Sequence, residues 1–537
     1  MAISVVVAGA VLAGTSSGGA HGVREGGTFR IATDGLQFTT ADPALLSAPL
    51  PSVIMRATCG RLMRNPDLPL PAGFRIVPDL AADYPQITSG GRKYTFTIRK
   101  GVRFSTGAPV TAGDFAYTLN RILNPAFKAL DAAALAEIVG ARDVIDGKTL
   151  RASGIVVQGN KLIVSLTQPD GGFIAQMASL DSCVLPSTLP LDPEGVKAPV
   201  PSAGPYFISQ FVPGQQLVLE RNRFYTGDRP HHVDRFVVDL TVDLAHVADA
   251  VERGQYDYAL LGTPEFGAQA DLLKRRYGVN RSRFFVYPAA FLRTFVINTA
   301  GQLFKDNVPL RQAVNFAVDR KALQRPIGTI AGTLTDQYLP PGLPAFRNAT
   351  IYPLRGPDLV RAKALAKGHT RSGKAVLYLP SLPSAITQGQ VIKADLARIG
   401  LDVAIQVFPP PVLFQKLATK GEPFDLGWAG LITGPDLATP DPSSLNSLFD
   451  GRTIGQPGSF DFSAFNSPRY NLLLEQAARL PIGPKRDRTY GRLDVDLARD
   501  AAPLIAYSGD NALTLVSART GCVLANPYLD LVAVCLK

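Results

Sequence analysis

Apolar and polar residues alternate in the stretch that begins at residue 94, where Tyr94, Phe96 and Ile98 are separated by polar residues. This period of two predicts a strand that buries one face. Further along, Thr111 is followed three residues later by Asp114, a variant of the capping box, which predicts the start of a helix. The stretch therefore predicts a half-buried strand, a turn and a capped helix.

Residues 308–323 show the helical period instead. Apolar residues recur there three or four positions apart, which predicts a helix with one face in a core. The same pattern predicts that the polar residues Arg311, Asn315 and Arg320 face solvent. The apolar positions are Leu310, Ala313, Val314, Ala317 and Val318.

Residues 368–375 come within one residue of a phosphate-binding P-loop, with Ala375 at the position of the magnesium-binding hydroxyl. A P-loop follows a strand and opens a helix. Here an alanine-rich helix is predicted before the stretch and a strand after it, so we interpret it as a helix-to-strand turn. No assembled catalytic motif is found in the sequence, and we predict that the protein is not an enzyme.

Several segments, taken in order, carry a resemblance to a known family. They are residues 78–82, 94–104, 114–117, 204–208, 219–222, 295–299 and 308–323, of which the last is the most specific. The chain resembles the family 5 solute-binding proteins of ABC importers, which include oligopeptide- and dipeptide-binding receptors. The resemblance covers roughly residues 26–510.

This resemblance implies an α/β, two-lobed periplasmic-binding-protein-like fold of type II, in the large peptide-binder subclass with an extra subdomain in lobe 1. A chain of 537 residues also exceeds what one core normally supports. The implied division is a signal-like segment at 1–22, lobe 1 at 24–289 with the subdomain at about 45–202, lobe 2 at 290–506, and a return to lobe 1 at 507–537. Strands near 287–291 and 506–509 would then act as a hinge.

The resemblance also implies a ligand site between the lobes, at Phe38, Thr39, Ser381, Trp428 and the residues after Trp428. Peptide-binding relatives carry an aspartate three residues after this tryptophan, where it pairs with the ligand ammonium group. Here that position is Leu431. Asp436 either replaces the missing carboxylate or belongs to a turn. Trp428, in turn, is either a ligand contact or a core residue.

The formal charge is +11, from 55 basic and 44 acidic residues. The basic residues are scattered, and no run is longer than residues 274–276, so we predict no nucleic-acid partner. The five histidines offer only the adjacent His231 and His232, whose side chains would point apart, so we predict no metal site and no cofactor. The partners implied by the resemblance are a peptide or small-molecule ligand and the permease subunits, with the receptor itself a monomer.

Residues 2–14 form an apolar run that is too short to span a membrane but is typical of a secretory signal. No basic residue precedes it, which makes the signal incomplete. We predict an extracytoplasmic location, in the periplasm or at the cell surface. The alternative function is a ligand sensor or chaperone-like partner on the same scaffold, without a role in transport.

Four cysteines are compatible with an exported protein. Cys522 and Cys535 flank a turn at residues 526–527, and two apolar strands around this turn would let them form a disulfide. Cys59 and Cys183 would then be the second pair. Three connectivities are possible, and four buried thiols are the alternative.

Overall fold

The computed structural model describes residues 23–33, 38, 40–45, 49–243, 246–261, 267–432, 440–454 and 460–537. The strands are β1 Thr28–Ala32, β2 Met63–Arg64, β3 Val77–Pro78, β4 Gln86–Thr88, β5 Lys93–Thr97, β6 Ile155–Gln158, β7 Lys161–Ser165, β8 Tyr206–Val212, β9 Gln216–Arg221, β10 Arg235–Asp239, β11 Tyr258–Leu260, β12 Phe284–Ile297, β13 Gly332–Leu334, β14 Lys374–Pro380, β15 Asp402–Phe408, β16 Leu426–Ile432, β17 Leu504–Val516, β18 Thr520–Gly521 and β19 Cys535–Leu536.

The helices alternate with the strands from β10 to β17, whereas several strands of the first half of the chain follow one another directly. The helices are α1 Pro49–Thr58, α2 Ala112–Leu123, α3 Ala141–Ile145, α4 Phe173–Gln176, α5 Val247–Glu252, α6 Gly267–Tyr277, α7 Val308–Ala317, α8 Arg320–Gln324, α9 Leu359–Ala366, α10 Pro383–Ala397, α11 Pro410–Ala418, α12 Ser444–Phe449, α13 Pro468–Ala478 and α14 Pro484–Asp496. Such alternation is typical of an α/β fold.

One sheet runs through both lobes of the molecule. Its strands follow the order β15-β14-β16-β12-β17-β11-β1-β10-β9-β8, and β13 adds to β17. The two long neighbours β12 and β17 are antiparallel and lie at the centre of this order. Each has one half in the first lobe and the other half in the second, so these two strands connect the lobes.

Buried side chains form a separate core in each lobe. The core of the second lobe draws on residues from Leu292 to Tyr507. A core of the first lobe combines residues from Phe29 onward with residues from Ala512 to Leu536. A third core belongs to the four-stranded sheet β4-β5-β7-β6 and helix α2. We call the unit around this third core the subdomain.

The predicted strand and capped helix of the subdomain are confirmed. Tyr94 and Phe96 are buried on one face of β5, and Ile98 is buried just after it. At the start of α2 the carboxylate of Asp114 accepts hydrogen bonds from the backbone N–H and the hydroxyl of Thr111, each at 2.8 Å. The cap fixes where the chain changes from turn to helix.

The helix predicted at residues 308–323 is divided into α7 and α8, and the predicted apolar positions are buried. The prediction that its polar residues face solvent is wrong. Arg311, Asn315 and Arg320 are all buried, with exposures of 5%, 1% and 0%. Arg311 donates to the carbonyl oxygen of Ala501 at 2.7 Å, and Arg320 to that of Ala506 at 2.8 Å. The chain around β17 supplies acceptors that a local pattern does not reveal.

Two disulfides lie in the first lobe. Cys59 is bonded to Cys183, with 5.0 Å between the Cα atoms, and Cys522 is bonded to Cys535, with 5.3 Å. The expectation of two apolar strands between the last two cysteines is wrong, because β18 (Thr520–Gly521) ends before Cys522 and β19 (Cys535–Leu536) begins at Cys535. The segment between them packs on the first lobe instead, where the Asn526 side chain donates to the carbonyl of Pro66 at 3.1 Å.

Candidate interlobe ligand site

The direction of the strands defines where the two lobes face each other. Strand β16 is antiparallel to β12 and parallel to β14, so the carboxyl ends of β14 and β16 point from the second lobe toward the first. Strands β1 and β11 are parallel to each other, and β11 is antiparallel to β17, so their carboxyl ends point toward the second lobe. Four carboxyl ends therefore meet at the interlobe boundary, the kind of sheet edge where α/β proteins bind ligands.

A largely buried ion pair ties the two crossing strands together at this boundary. Arg293 of β12 contacts both carboxylate oxygens of Asp510 of β17, with Nε–Oδ1 at 2.6 Å and Nη2–Oδ2 at 2.8 Å. Burial raises the pKa of Asp510, and the charge of Arg293 opposes that shift. The register of the β12–β17 pairing shifts on both sides of Arg293. The pair thus lies where the ladder is least regular.

Next to this pair a polar cluster surrounds Gln388 of α10. The Gln388 side-chain oxygen accepts hydrogen bonds from the Trp428 indole N–H at 3.0 Å and from the Tyr507 hydroxyl at 3.2 Å. The Gln388 amide nitrogen donates to the carbonyl of Leu323 at 2.8 Å. Burial raises the pKa of Tyr507 to about 12, so its hydroxyl stays protonated as a donor. The cluster joins β16, β17 and α10 beneath the interlobe boundary.

These contacts limit what Trp428 can offer a ligand. Its side chain is 8% exposed and belongs to the core of the second lobe, and its N–H is already bonded to Gln388. It can therefore present part of its ring surface, but its hydrogen-bond donor is engaged. Its role as a ligand contact stays a prediction.

The other predicted ligand residues divide between the lobes. Ser381 follows β14 and is exposed at the interlobe end of that strand, where its backbone N–H donates to the carbonyl of Phe408 at 2.8 Å. Leu431 lies in β16, in register with Leu292, and its side chain lies outside the described residues. The structure therefore places Ser381, Trp428 and Leu431 on neighbouring strands of the second lobe.

Phe38 lies in the first lobe beyond β1. It is 1% exposed and packs edge-to-face on Phe211, with ring centroids 5.3 Å apart. In this structure it is a core residue, and its ligand role stays a prediction. Thr39 and Asp436 lie outside the described residues, as does the predicted signal segment at 1–22.

Sequence reasoning missed Arg293, Asp510 and Gln388. The first two were detectable in principle, because each is a charged residue inside a long, mainly apolar strand, which indicates a partner for the charge. Gln388 carries no such pattern, since a helix glutamine is ordinarily a surface residue. Within the described residues no three His, Cys, Asp or Glu side chains are grouped so that they could hold a metal ion.

Among the helices that the structure describes, none combines the length and the apolar composition needed to cross a membrane.

Comparison with known proteins agrees with this geometry. The family model of the bacterial extracellular solute-binding proteins, family 5 (middle region) matches residues 75–455. Protein XP55 of Streptomyces lividans is 28% identical over 400 residues, which cover 69% of this chain and 65% of that protein. Heme-binding protein A of Haemophilus influenzae is 24% identical over 491 residues, which cover 84% of this chain and 82% of that protein.

Among solved structures, the clavulanic acid biosynthesis oligopeptide binding protein 2 superposes with a TM-score of 0.82 at 23% identity, over 96% of each chain. At this identity the likeness shows the fold, which is the two-lobed α/β fold of the periplasmic peptide-binding proteins. The family match covers well over half of the chain. The protein therefore belongs to family 5 of the bacterial extracellular solute-binding proteins.

Proposed function

We propose that this protein is the extracytoplasmic receptor of a peptide-type ABC importer, which captures a peptide or similar small solute between its lobes and delivers it to the permease subunits. The observation that carries the proposal is the meeting of four strand carboxyl ends, from β1 and β11 on one side and β14 and β16 on the other. We infer that both halves of the ligand site lie at this boundary. Family membership supports the same function.

The working division of the chain is lobe 1 at 24–289, lobe 2 at 290–506 and a return to lobe 1 at 507–537. Strands β12 and β17 then form the hinge, with the Arg293–Asp510 pair between them. A ligand closes such a hinge only by the contacts that it makes in the closed state and lacks in the open one. The receptor is proposed to act as a monomer and to bind without catalysing a reaction.

The ligand chemistry is inferred from Leu431, which lies three positions after Trp428 on β16. Leu431 cannot pair with an ammonium group, and leaving a ligand ammonium buried without a partner would cost several kcal/mol. We propose that the protein does not recognise a free α-amino group in the usual way. Blocked peptides, glycosides and metal chelates are then the candidate ligands. One relative is named for haem and one structural neighbour for oligopeptides, which keeps both chemistries in this set.

The test compares three probes by thermal unfolding and solution scattering: alanyl-alanine, N-acetyl-alanyl-alanine amide and haem. A ligand that binds the folded protein raises the melting temperature by mass action. We expect the blocked peptide or haem to do so and to reduce the radius of gyration. A probe that stabilises the protein strongly without compaction would contradict the closing mechanism.

Asp436 is tested separately, because it is the nearby carboxylate that would replace the missing one. Calorimetry with alanyl-alanine compares the wild type, Asp436→Ala and the control Asp402→Ala, whose aspartate is exposed at the start of β15. If Asp436 pairs with the ligand ammonium, only Asp436→Ala loses binding. Tight binding of alanyl-alanine by the wild type and by both variants would contradict both the substitute role of Asp436 and the argument that the site does not tolerate an unpaired ammonium group.

A further inference from the structure

The lobes also touch at a place away from β12 and β17. A loop of the subdomain, residues 169–172, reaches the end of α13 in the second lobe. There the backbone N–H of Gly171 donates to the carbonyl oxygen of Ala478 at 2.7 Å. Ala478 is the last residue of α13, so its carbonyl has no partner within the helix. The loop supplies a donor that the second lobe itself does not provide there.

Only glycine fits at position 171. A Cβ atom added there would overlap the carbonyl oxygen of Leu480 and lie 2.7 Å from its carbonyl carbon. These are backbone atoms of the second lobe, which cannot rotate away as the end of a side chain can. Any larger residue would therefore push the loop and the second lobe apart.

Gly172 makes the next contact with the second lobe. A Cβ atom there would lie 3.1 Å from Nη2 of Arg486 and 3.2 Å from Oγ of Ser443. Arg486 is held in place by two hydrogen bonds of 2.8 Å to the carboxylate of Asp441. The second lobe thus presents a fixed surface beside Gly172. This surface consists of side-chain ends, whereas the one beside Gly171 consists of backbone atoms.

The loop is firmly attached to the subdomain. The Tyr94 hydroxyl of β5 donates to the carbonyl of Asp170 at 2.6 Å, and the Asp170 carboxylate accepts the Gly172 N–H at 2.8 Å. The contact itself is small, since a cavity of about 340 Å³ lies beside it between the subdomain and the second lobe. Polar residues from both sides line that cavity, among them Glu137, Gln176 and Asn446. A small contact beside a polar cavity can form and break.

We propose that residues 169–172 are a latch that holds the lobes closed and gives the closed arrangement a measurable population before a ligand arrives. The proposal rests on the closing motion described under the proposed function. Because β12 and β17 are the strands that join the lobes, a rotation about them separates any other interlobe contact that does not lie on the rotation axis. The latch then sets how often the unliganded receptor closes.

The experiment uses the full chain without any added ligand, so that an unsuccessful search for ligands does not affect it. Amide hydrogen exchange is measured at positions 171 and 172, and the radius of gyration is measured by solution scattering. The amide of Gly172 is an internal control, because its partner Asp170 lies in the same loop. The variants are Gly171→Ala and, as a matched control, Gly113→Ala in the same subdomain, where an added Cβ meets only the Thr111 hydroxyl at 3.4 Å.

We expect Gly171→Ala to speed exchange at position 171 at least tenfold, to leave position 172 almost unchanged and to increase the radius of gyration. Gly113→Ala should match the wild type. Gly172→Ala should increase the radius of gyration by a smaller amount, because the neighbours of Gly172 are side-chain ends that can move. This variant replaces Gly171→Ala in the experiment if Gly171→Ala folds poorly.

Three results would overturn the latch. The first is an unprotected amide at position 171 in the wild type, which would mean that the contact does not form without ligand. The second is unchanged exchange at position 171 in Gly171→Ala. The third is faster exchange at position 171 in Gly171→Ala with an unchanged radius of gyration, which would mean that losing the contact does not open the lobes. Failure of the proposed import function would appear elsewhere, as an absence of ligand-induced stabilisation.

Discussion

The two lobes bury charged side chains in different ways. In the first lobe Arg229 contacts both carboxylate oxygens of Asp67, at 2.8 and 2.9 Å, and Arg56 pairs with Asp530 beside them. In the second lobe Arg320 donates to carbonyl oxygens and to the side-chain oxygen of Asn315. In these examples the first lobe compensates buried charge with opposite charge and the second lobe with backbone and amide dipoles, although Arg61 of the first lobe also donates to a backbone carbonyl, that of Ala178, at 2.7 Å. The second lobe also uses opposite charges, at Arg293, which pairs with Asp510, and at Arg486, which pairs with Asp441 beneath the subdomain loop.

Pairing with an opposite charge and pairing with dipoles shift the pKa of a buried carboxylate in opposite directions. Burial alone would raise the pKa of Asp67, but Arg229 and Arg56 outweigh it and hold that pKa well below its usual range. Burial raises the pKa of Asp494 in the second lobe to about 7, because hydrogen bonds from the Tyr338 N–H and Gln337 oppose it only in part. The contributions of Asp67 and Asp494 to stability should therefore respond to pH with opposite signs.

The largest change in stability is expected on removal of the disulfide that closes the longer loop. Cys59 and Cys183 are 124 residues apart, and in the chain-entropy model a loop of that length contributes about 5 kcal/mol. In a Cys59→Ala/Cys183→Ala double variant we expect the first lobe to unfold at lower urea concentration. Trp428 is the one tryptophan and lies in the core of the second lobe, so its fluorescence should report an unchanged transition. A fluorescence transition that moves together with circular dichroism would show that the lobes unfold as one unit.

The next effect concerns Asp494, which is fully buried. Its folded-state pKa lies above the ordinary value of 3.8, so its stabilisation is complete below pH 3.8 and is lost as the pH rises through about 7. The interval between the two values corresponds to about 4 kcal/mol. We expect Asp494→Asn to flatten the pH dependence of the Trp428 unfolding transition between pH 4 and 8. Asp402→Asn, an exposed control, should behave like the wild type.

Arginine replacement compares the two lobes directly. Arg229→Met leaves the Asp67 carboxylate buried without its main partner and should cost about 4 kcal/mol at pH 7. Arg320→Met leaves carbonyl oxygens without donors and should cost about 3 kcal/mol. Urea unfolding at pH 7 and pH 4 separates the two mechanisms. The cost of Arg229→Met should shrink at pH 4, where Asp67 can take up a proton, whereas that of Arg320→Met should not change; equal pH responses would contradict the distinction.

The smallest effect is expected for the disulfide between Cys522 and Cys535. The two residues are 13 apart, and a loop of that length contributes about 3 kcal/mol. Cys522→Ala/Cys535→Ala should therefore destabilise the first lobe less than loss of the longer bridge. Non-reducing peptide mapping of the wild type checks the premise, because free thiols or exchanged partners would remove the basis for both disulfide predictions.

Local patterns predicted the elements whose causes are local. The alternation at Tyr94 and Phe96 and the cap at Thr111 needed only neighbouring residues, and both are found. The burial of Arg311 and Arg320 was not predictable in this way, because the carbonyl oxygens that accept their hydrogen bonds are about 190 residues away along the chain. An amphipathic pattern shows which side chains avoid water, but it does not show which buried backbone groups need a donor.

The candidate site was predictable to a smaller degree. The family resemblance located Ser381, Trp428 and Leu431, which the sheet places on neighbouring strands. It did not indicate that Gln388 engages the Trp428 N–H, because this pairing depends on how α10 packs over the sheet. Ligand specificity depends on such contacts, which only the assembled fold defines.

The way in which β17 and the segment after it complete the first lobe has a consequence for the order of folding. Strand β17 is a neighbour of β11, Leu536 bridges to Arg24, and Arg519 donates to the carbonyl of Thr28 at 3.2 Å. The core of the second lobe comes from one continuous stretch of the chain. The first lobe instead needs C-terminal residues, which are synthesised about 500 residues after the N-terminal residues that they contact. While the chain is being synthesised, the second lobe can fold first, and the half of the binding cleft made by the first lobe is finished last.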